Sequence, residues 1–337
     1  MINLVSDTVT KPTAEMLNAM LKADVGDDVF REDPTVNALE EKIAIIFGME
    51  AALFCPSGTM TNQIAIKVHT RQLDEMICDE TAHVYQSEVG GYAFHSGLSV
   101  KLLQGINGKI NADQIEKAIK PDYDWMPKSR LVVVENTSNI GGGTIYTKAE
   151  IEPIAKVCTQ RGLALHLDGA RIFNALVETG DSPKDMGDLF DSISVCLSKG
   201  LGAPVGSLLL GNKPFIKEAR RVRKAMGGGM RQAGYLAAAG IYALDHHIDR
   251  LKVDNQRAKE LGVALASIPF VENIKPVYSN IVFFDVKAPM TALEFIALLQ
   301  NFGIKATTFG PQTVRFVTHL DYTDQMHQTV LEVLSRI

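Results

Sequence analysis

The chain has 337 residues, 46% of them hydrophobic and 22% charged, with 39 acidic side chains against 34 basic ones. That is enough apolar material for one large core plus a smaller unit, and it excludes a tail or a linker. The net charge of -5 gives no reason to expect nucleic acid or an anionic membrane as a partner, so any anion the protein holds must be bound locally.

The start, MINLVSDTVT, lacks the basic and apolar segments of a secretion signal, and no stretch is apolar for the length of a membrane span. The expected location is cytoplasmic. The first landmark is FREDPTVNALEEKIAIIFG, where Asp33 caps a helix, Pro34 takes its first position, Val36, Leu39, Ile43 and Phe47 share one face, and Gly48 follows its end. Ala51 to Phe54 reads as a short buried strand that turns through Cys55-Pro56-Ser57-Gly58 into a helix from Thr59 to Val68. A glycine turn entering a helix exposes backbone N–H groups at the positive end of the dipole, which makes this a candidate phosphate cradle, although such a glycine alone is more often only a turn. Residues 75–78 and 98–103 read as strands, with His83 and Tyr85 between them; a lone histidine is usually structural.

Ser129 to Glu135 is a further buried strand, ending in ENTSNIGGG, and the next helix opens with the capping box Thr147-Lys148-Ala149-Glu150 and closes at Arg161-Gly162. The strand Leu163 to Leu167 leads into Asp168-Gly169-Ala170-Arg171. After a helical stretch, the strand Ile193 to Leu197 delivers Ser198-Lys199-Gly200. Strands alternating with helices imply an α/β fold with a mostly parallel sheet and helices on both faces, and such sheets bind ligands at the carboxyl ends of their strands. Gly206 to Gly211 reads as another strand, followed by helices at 213–224 and 231–250 around Met226-Gly227-Gly228-Gly229-Met230. From Leu251 the pattern becomes helix, strands 271–277 and 280–286, helix 290–302, strands 305–308 and 313–318, and a last helix. The expected division is a large domain over 1–250 and a smaller C-terminal α+β domain over 251–337, with Arg315 on its final strand. Cys55, Cys78, Cys158 and Cys196 form neither a CxxC pair nor a cluster with histidines, so they are expected as reduced, mostly buried thiols and no metal site is expected.

Lys199 at a strand end, between glycines, is poorly placed for solubility and well placed for chemistry. Taken alone it reads as a lysine reaching for water. Together with Asp168 at the neighbouring strand end, the Gly58 turn and arginines on two different elements, it can hold pyridoxal 5'-phosphate. The lysine amine condenses with the aldehyde, an aspartate keeps the pyridine nitrogen protonated so the ring accepts electrons, the turn binds the phosphate, and His83 can stack on the ring.

The blocks SDTVTKPT, VGDDVFREDPTVNALE, PSGTMTNQ, HLDGARIFNA, CLSKGLGAPVGSLLLG and KAMGGGMRQAG, with TVRF near the end, resemble the low-specificity L-threonine aldolases of the pyridoxal phosphate-dependent β-eliminating lyase and threonine aldolase family, which have the aspartate aminotransferase fold, type I. The resemblance implies a homo-oligomer, dimer or tetramer, with sites between subunits, that cleaves the β-hydroxy-α-amino acids L-threonine and L-allo-threonine to glycine and acetaldehyde. By position it implies Lys199 as the Schiff-base lysine, Asp168 as the pyridine partner and His83 as the stacked histidine. It implies Gly58, Thr59 and Ser198 as phosphate contacts and Ser6, Arg171 and Arg315 as the clamp on the substrate carboxylate. Lys224 and Arg231 would reach toward the phosphate or a neighbouring subunit. His83, directly or through a water, is the candidate base for the β-hydroxyl, and stacking alone is its other reading. Where many relatives read ENTHN this chain has Glu135-Asn136-Thr137-Ser138-Asn139, Trp125 stands near a position often held by histidine, and Phe30-Arg31 replaces a common Tyr-Gly.

Two other readings share the cofactor residues, a β-eliminating lyase and an amino-acid racemase on the same fold. A noncatalytic α/β binding protein is a third. A nicotinamide dehydrogenase is disfavoured, because no GxGxxG follows the first strand and Gly141 to Gly143 have the wrong spacing.

Overall fold

The computed structural model describes residues 1–337. Its strands are β1 (Ile2–Asn3), β2 (Ala51–Cys55), β3 (Asp74–Asp79), β4 (Ser99–Leu103), β5 (Lys128–Glu135), β6 (Ala164–Gly169), β7 (Ser192–Cys196), β8 (Ser207–Gly211), β9 (Val271–Glu272), β10 (Ile281–Val286), β11 (Ile304–Lys305), β12 (Thr307–Thr308) and β13 (Thr313–Val317). Seven of them form the main sheet in the order β2-β8-β7-β6-β5-β3-β4. Every pair is parallel except those of β8, which runs against both β7 and β2. Only the residues 197–206 separate β7 from β8, too few for the crossover of a dozen or more residues that a parallel return requires.

Both faces of this sheet are covered, so its strands are apolar at successive positions and show no alternation with polar residues. Ile77, Val132, Val134, Leu165, Leu167, Ile193, Val195, Leu208 and Leu210 enter the largest core. Their neighbours Leu131, Val133, Met76 and Cys78 pack into one cluster on the other face with Ile66, and Leu209 joins a second with Ile64 and Ala65, all three from the helix Gly58–His69. The first landmark helix spans Pro34–Phe47, with Asp33 Oδ1 accepting the Val36 N–H at 2.9 Å and Gly48 at φ 63° closing it. Asp33 also accepts from Gly234 N–H at 2.8 Å, which starts the helix Gly234–His246 three residues later than the pattern indicates. That helix stops at His246 and a separate one runs Leu251–Ala266, so the single helix expected over 231–250 is shorter.

The remaining strands form a four-stranded antiparallel sheet, β12-β13-β10-β9, covered by Leu251–Ala266, Ala292–Gln300 and Asp324–Leu334. The strand expected over 271–277 ends after Glu272, because Asn273 takes φ 49° and Pro276 offers no ladder donor. This sheet has its own core of 21 buried residues, and that core includes Ile2 and Leu4 from the chain start. β1 pairs in parallel with β11, which brings Ser6 and Asp7 to the seam between the two sheets. No helix is long and apolar enough to cross a membrane.

Candidate active site

Lys199 leaves β7 through Leu197, whose N–H still donates to Gly206 O at 3.0 Å. The turn then closes with Gly202 N–H on Lys199 O at 2.8 Å, and Gly202 sits at φ 80°, a conformation that favours glycine. From the other side His247 Nδ1–H donates to Leu201 O at 2.7 Å. The ion pairs nearest this turn are Arg171 with Asp7 and Arg250 with Asp254; Lys199 Nζ takes part in neither, which leaves its amine open to a ligand.

Asp168, one strand over and paired in register with Ser194, is buried to 2% exposure. Its oxygens accept one hydrogen bond each, from Asn62 Nδ2 at 2.9 Å and from Ala170 N–H at 3.2 Å, so each keeps a lone pair for a further donor. His83 opens the short helix His83–Gln86, with its N–H on Glu135 Oε2 at 3.2 Å and its Nδ1 3.0 Å from Glu88 Oε1. A carboxylate oxygen accepts, so Nδ1 carries the proton and Nε2 is left with a free lone pair. Ligand atoms of His83, Glu88 and Asp168 all lie within 4.8 Å of one another. Burial works against a charge on His83, but the Glu88 hydrogen bond and the charges of Asp168, Glu88 and Glu135 outweigh it and raise its pKa above the ordinary 6.5. For Glu135, burial and then the charge of Asp168 push the carboxyl up to about 7, against the pull of His83 and of the N–H groups of Asn139 and His83.

The two arginines meet at the seam. Arg171 spends two donors on Asp7, Nε to Oδ2 at 2.6 Å and Nη2 to Oδ1 at 2.7 Å, and both residues are buried. Arg315 donates Nη1 to Asn139 Oδ1 and Nη2 to Val5 O, each at 2.9 Å, and its buried Nε has no partner. Burial and then the charge of Arg171 push Arg315 down to about 10. Arg171 thus has a carboxylate partner and Arg315 has none, so an anion at Arg315 would complete the balance. The Arg171 fork is therefore occupied by the protein itself, and the N–H groups it keeps for a substrate are the two of Nη1 and the second of Nη2. Ser6 Oγ accepts from Thr8 N–H at 3.2 Å as the cap of the turn Asp7–Val9.

At the other end of the site Ser57 caps the helix Gly58–His69, its Oγ accepting from Met60 N–H at 3.2 Å. The N–H groups of Gly58 and Thr59 then have no acceptor inside the helix. A Cβ on Gly58 would sit 2.6 Å from Cys196 Sγ, so the absence of a side chain lets this helix start press against the end of β7, beside Ser198. Lys224 and Arg231 are exposed; Arg231 pairs with Asp27 at 2.8 Å, Lys224 lies along Gly229, and neither touches the cluster. A cleft of about 1120 Å³ lies around Glu40 and Arg220 and is lined by none of the residues expected at the site.

Asp7, Asn62, Glu88, Glu135, Asn139 and Asn280, whose Nδ2 donates to Asp7 Oδ2 at 3.1 Å, were not among the expected site residues. Asp7 stands beside Ser6 in SDTVT, and Glu135 and Asn139 lie in ENTSNIGGG, so their motifs carried a signal. Asn62 lies in PSGTMTNQ, whose signal was read only at Gly58 and Thr59, and Glu88 in a loop carried none; packing reveals it.

The residues fit pyridoxal 5'-phosphate: a free amine, a buried carboxylate with unused lone pairs, and unpaired N–H groups at a close-packed helix start. A profile described as beta-eliminating lyase matches residues 3–289. The chain is 42% identical to a low specificity L-threonine aldolase of Escherichia coli (strain K12), over 95% of this chain and 94% of that one. It is 38% identical to low-specificity L-threonine aldolase 1 of Arabidopsis thaliana, over 98% and 94%. A structure of Leishmania major threonine aldolase superposes with a TM-score of 0.88 over 100% of this chain and 99% of that one; at 23% identity it speaks for the fold. With the match spanning both sheets and every motif block, the chain belongs to the β-eliminating lyase family and, within it, to the low-specificity L-threonine aldolases.

Proposed function

We infer that the protein is a pyridoxal 5'-phosphate-dependent lyase that cleaves the Cα–Cβ bond of L-threonine and L-allo-threonine, yielding glycine and acetaldehyde. The observation that carries the reading is the free Lys199 amine in the turn after the strand beside buried Asp168, with Arg315 lacking a carboxylate partner at the seam. Lys199 would hold the cofactor through its amine, Asp168 would face the ring nitrogen, and Gly58, Thr59 and Ser198 would bind the phosphate. Bound, the cofactor supplies a ring that withdraws the electrons of the breaking bond.

Arg315 Nε and Arg171 Nη1 take the substrate carboxylate, with Ser6 beside them. Asp7 binds no substrate; it fixes the plane of the Arg171 guanidinium and so the direction of its remaining donors. By holding the carboxylate the clamp would fix the substrate's orientation at Cα, and with it which bond breaks. His83 Nε2 then accepts the β-hydroxyl proton, while Glu88 holds the ring through Nδ1. Lys199 Nζ would carry a proton to or from Cα.

An oligomer with the site at a subunit boundary, and a division of the chain near residue 250, belong to the same proposal. Exposed Val89, next to buried Glu88, and exposed Phe30, Phe94 and Trp125 support the first. The separate 21-residue core supports the second.

The test is incubation with L-threonine and coupling of released acetaldehyde to alcohol dehydrogenase. Aldehyde and glycine in equal amounts support the reading. Ammonia and a 2-oxo acid without aldehyde indicate elimination, and interconverted enantiomers indicate racemisation. Ser138 Oγ accepts from Gly141 N–H at 3.3 Å and Trp125 stacks on Tyr123, so His83 is the one expected contact to the β-hydroxyl. Both L-epimers should therefore be cleaved with kcat/KM within about a hundredfold of each other, and D-threonine should be inert. Steady-state kinetics on the three amino acids checks this; a wider gap would reveal a dedicated hydroxyl contact.

A further inference from the structure

Hydrogen bonds behind Asp168 continue well past the site. Asn62 donates both amide hydrogens forward, to Glu88 Oε1 and to Asp168 Oδ2, each at 2.9 Å. Carboxylate oxygens accept, so the amide nitrogen faces them and Oδ1 faces away, 3.1 Å from His166 Nε2. An amide oxygen also accepts, which puts the His166 proton on Nε2 and leaves Nδ1 bare. That lone pair lies 2.8 Å from Ser192 Oγ, whose own proton must point at it. Ser192 Oγ is then the acceptor for His69 Nε2–H, 2.7 Å away. His166 and Ser192 are 0% exposed, so no water substitutes for a link.

We propose that His166, Ser192 and His69 are positioning residues for Asp168, a one-way chain of neutral donors that locks Asn62 with its amide hydrogens on the two carboxylates. This rests on the reading of Asp168 as the partner of the cofactor's ring nitrogen. Burial keeps both imidazoles neutral, holding His166 down at about 3 and His69 at about 4. Neutral donors hold the Asp168 carboxylate in place without cancelling the charge that the ring nitrogen needs, whereas a lysine or arginine at the Asn62 position would take it up. The alternative His166 tautomer would set its Nε2 lone pair against Asn62 Oδ1. The amide would then flip and turn its oxygen on both carboxylates, so tautomer and amide switch as a unit.

The measurement is a two-bond 1H–15N correlation on the full-length protein labelled at histidine nitrogen, with and without added pyridoxal 5'-phosphate. His166→Gln identifies the His166 signals. His166 and His69 should both appear as neutral Nε2–H tautomers; an Nδ1–H form or an imidazolium at His166 overturns the proposal. The second arm is titration of the cofactor-free protein with pyridoxal 5'-phosphate, followed by fluorescence, with circular dichroism to confirm folding. His166→Leu should weaken binding about tenfold, and His166→Gln, whose amide can donate to Asn62 and accept from Ser192, should stay within about twofold of wild type. Wild-type affinity in folded His166→Leu overturns the role, and if that variant does not fold the tautomer result decides alone. Should the wild-type protein fail to bind the cofactor, the reading of the site falls while the tautomer measurement still tests the chain of donors.

Discussion

Lys199 and Asp168 differ in how a substitution should act. Lys199→Ala removes the amine and should abolish turnover while circular dichroism and thermal unfolding stay near wild type, because the side chain makes no ion pair that the fold depends on. Asp168→Asn keeps the shape and removes the charge, and should lower kcat at least about a hundredfold, roughly 2.7 kcal/mol of transition-state stabilisation. Full activity in either variant would reassign the role. His83 gives a pH signature. It acts as a base when unprotonated, so kcat/KM should rise with pH through a value above 6.5. Glu88→Gln removes a contact that favours the imidazolium, so the rising limb should move to lower pH. A limb that stays in place, or moves up, would detach His83 from the titration.

At the scale of elements, the helix start at Gly58 is the sensitive joint. A methyl group there would meet Cys196 Sγ at 2.6 Å, with the sulfur held in a buried strand end. Gly58→Ala should push the helix start away from β7 and weaken cofactor binding by tenfold or more, about 1.4 kcal/mol, with a smaller loss of thermal stability. Equal affinity in the two proteins would separate the turn from the phosphate. The helices Ala14–Leu21 and Ala112–Ala118 were not anticipated, although Thr13 caps the first and Asn111 with Gln114 boxes the second. Each is short with a narrow apolar face, and packing stabilises it more than periodicity announces it.

On the scale of the whole molecule, burial decides how stability follows pH. All four cysteines are buried, and burial pushes Cys55, Cys78 and Cys158 up to about 12, so native protein should react with a thiol reagent only as it unfolds. Glu135 folds with its carboxyl raised from 4.5 to about 7, so the fold favours the protonated acid. That contribution is present below pH 4.5 and is lost as pH rises to about 7. In urea unfolding of the cofactor-free protein, wild-type stability relative to Glu135→Gln should fall between pH 5 and pH 7 and level off above. A flat difference over that window would show that Glu135 ionises normally. His83 acts in the same sense at higher pH, because its raised pKa makes its contribution disappear as pH climbs above 6.5.

Local rules were enough for most strands of the sheet and for the motifs at their ends. Apolar runs, Pro34 after Asp33, and the Thr147 capping box mark their elements through contacts within a few residues, and the Asp168 and Lys199 motifs follow directly from strands so marked. The reversed direction of β8 depended on the length of one loop, which the sequence contains but periodicity does not read. Tertiary structure alone joined Asp7 to Arg171 across the chain, brought Ile2 and Leu4 into the second core, and lined up Asn62, His166, Ser192 and His69 behind Asp168. Those residues have no shared spacing, because a buried polar group is satisfied by whichever partner folding brings within 3 Å or so, however far away it lies in the chain.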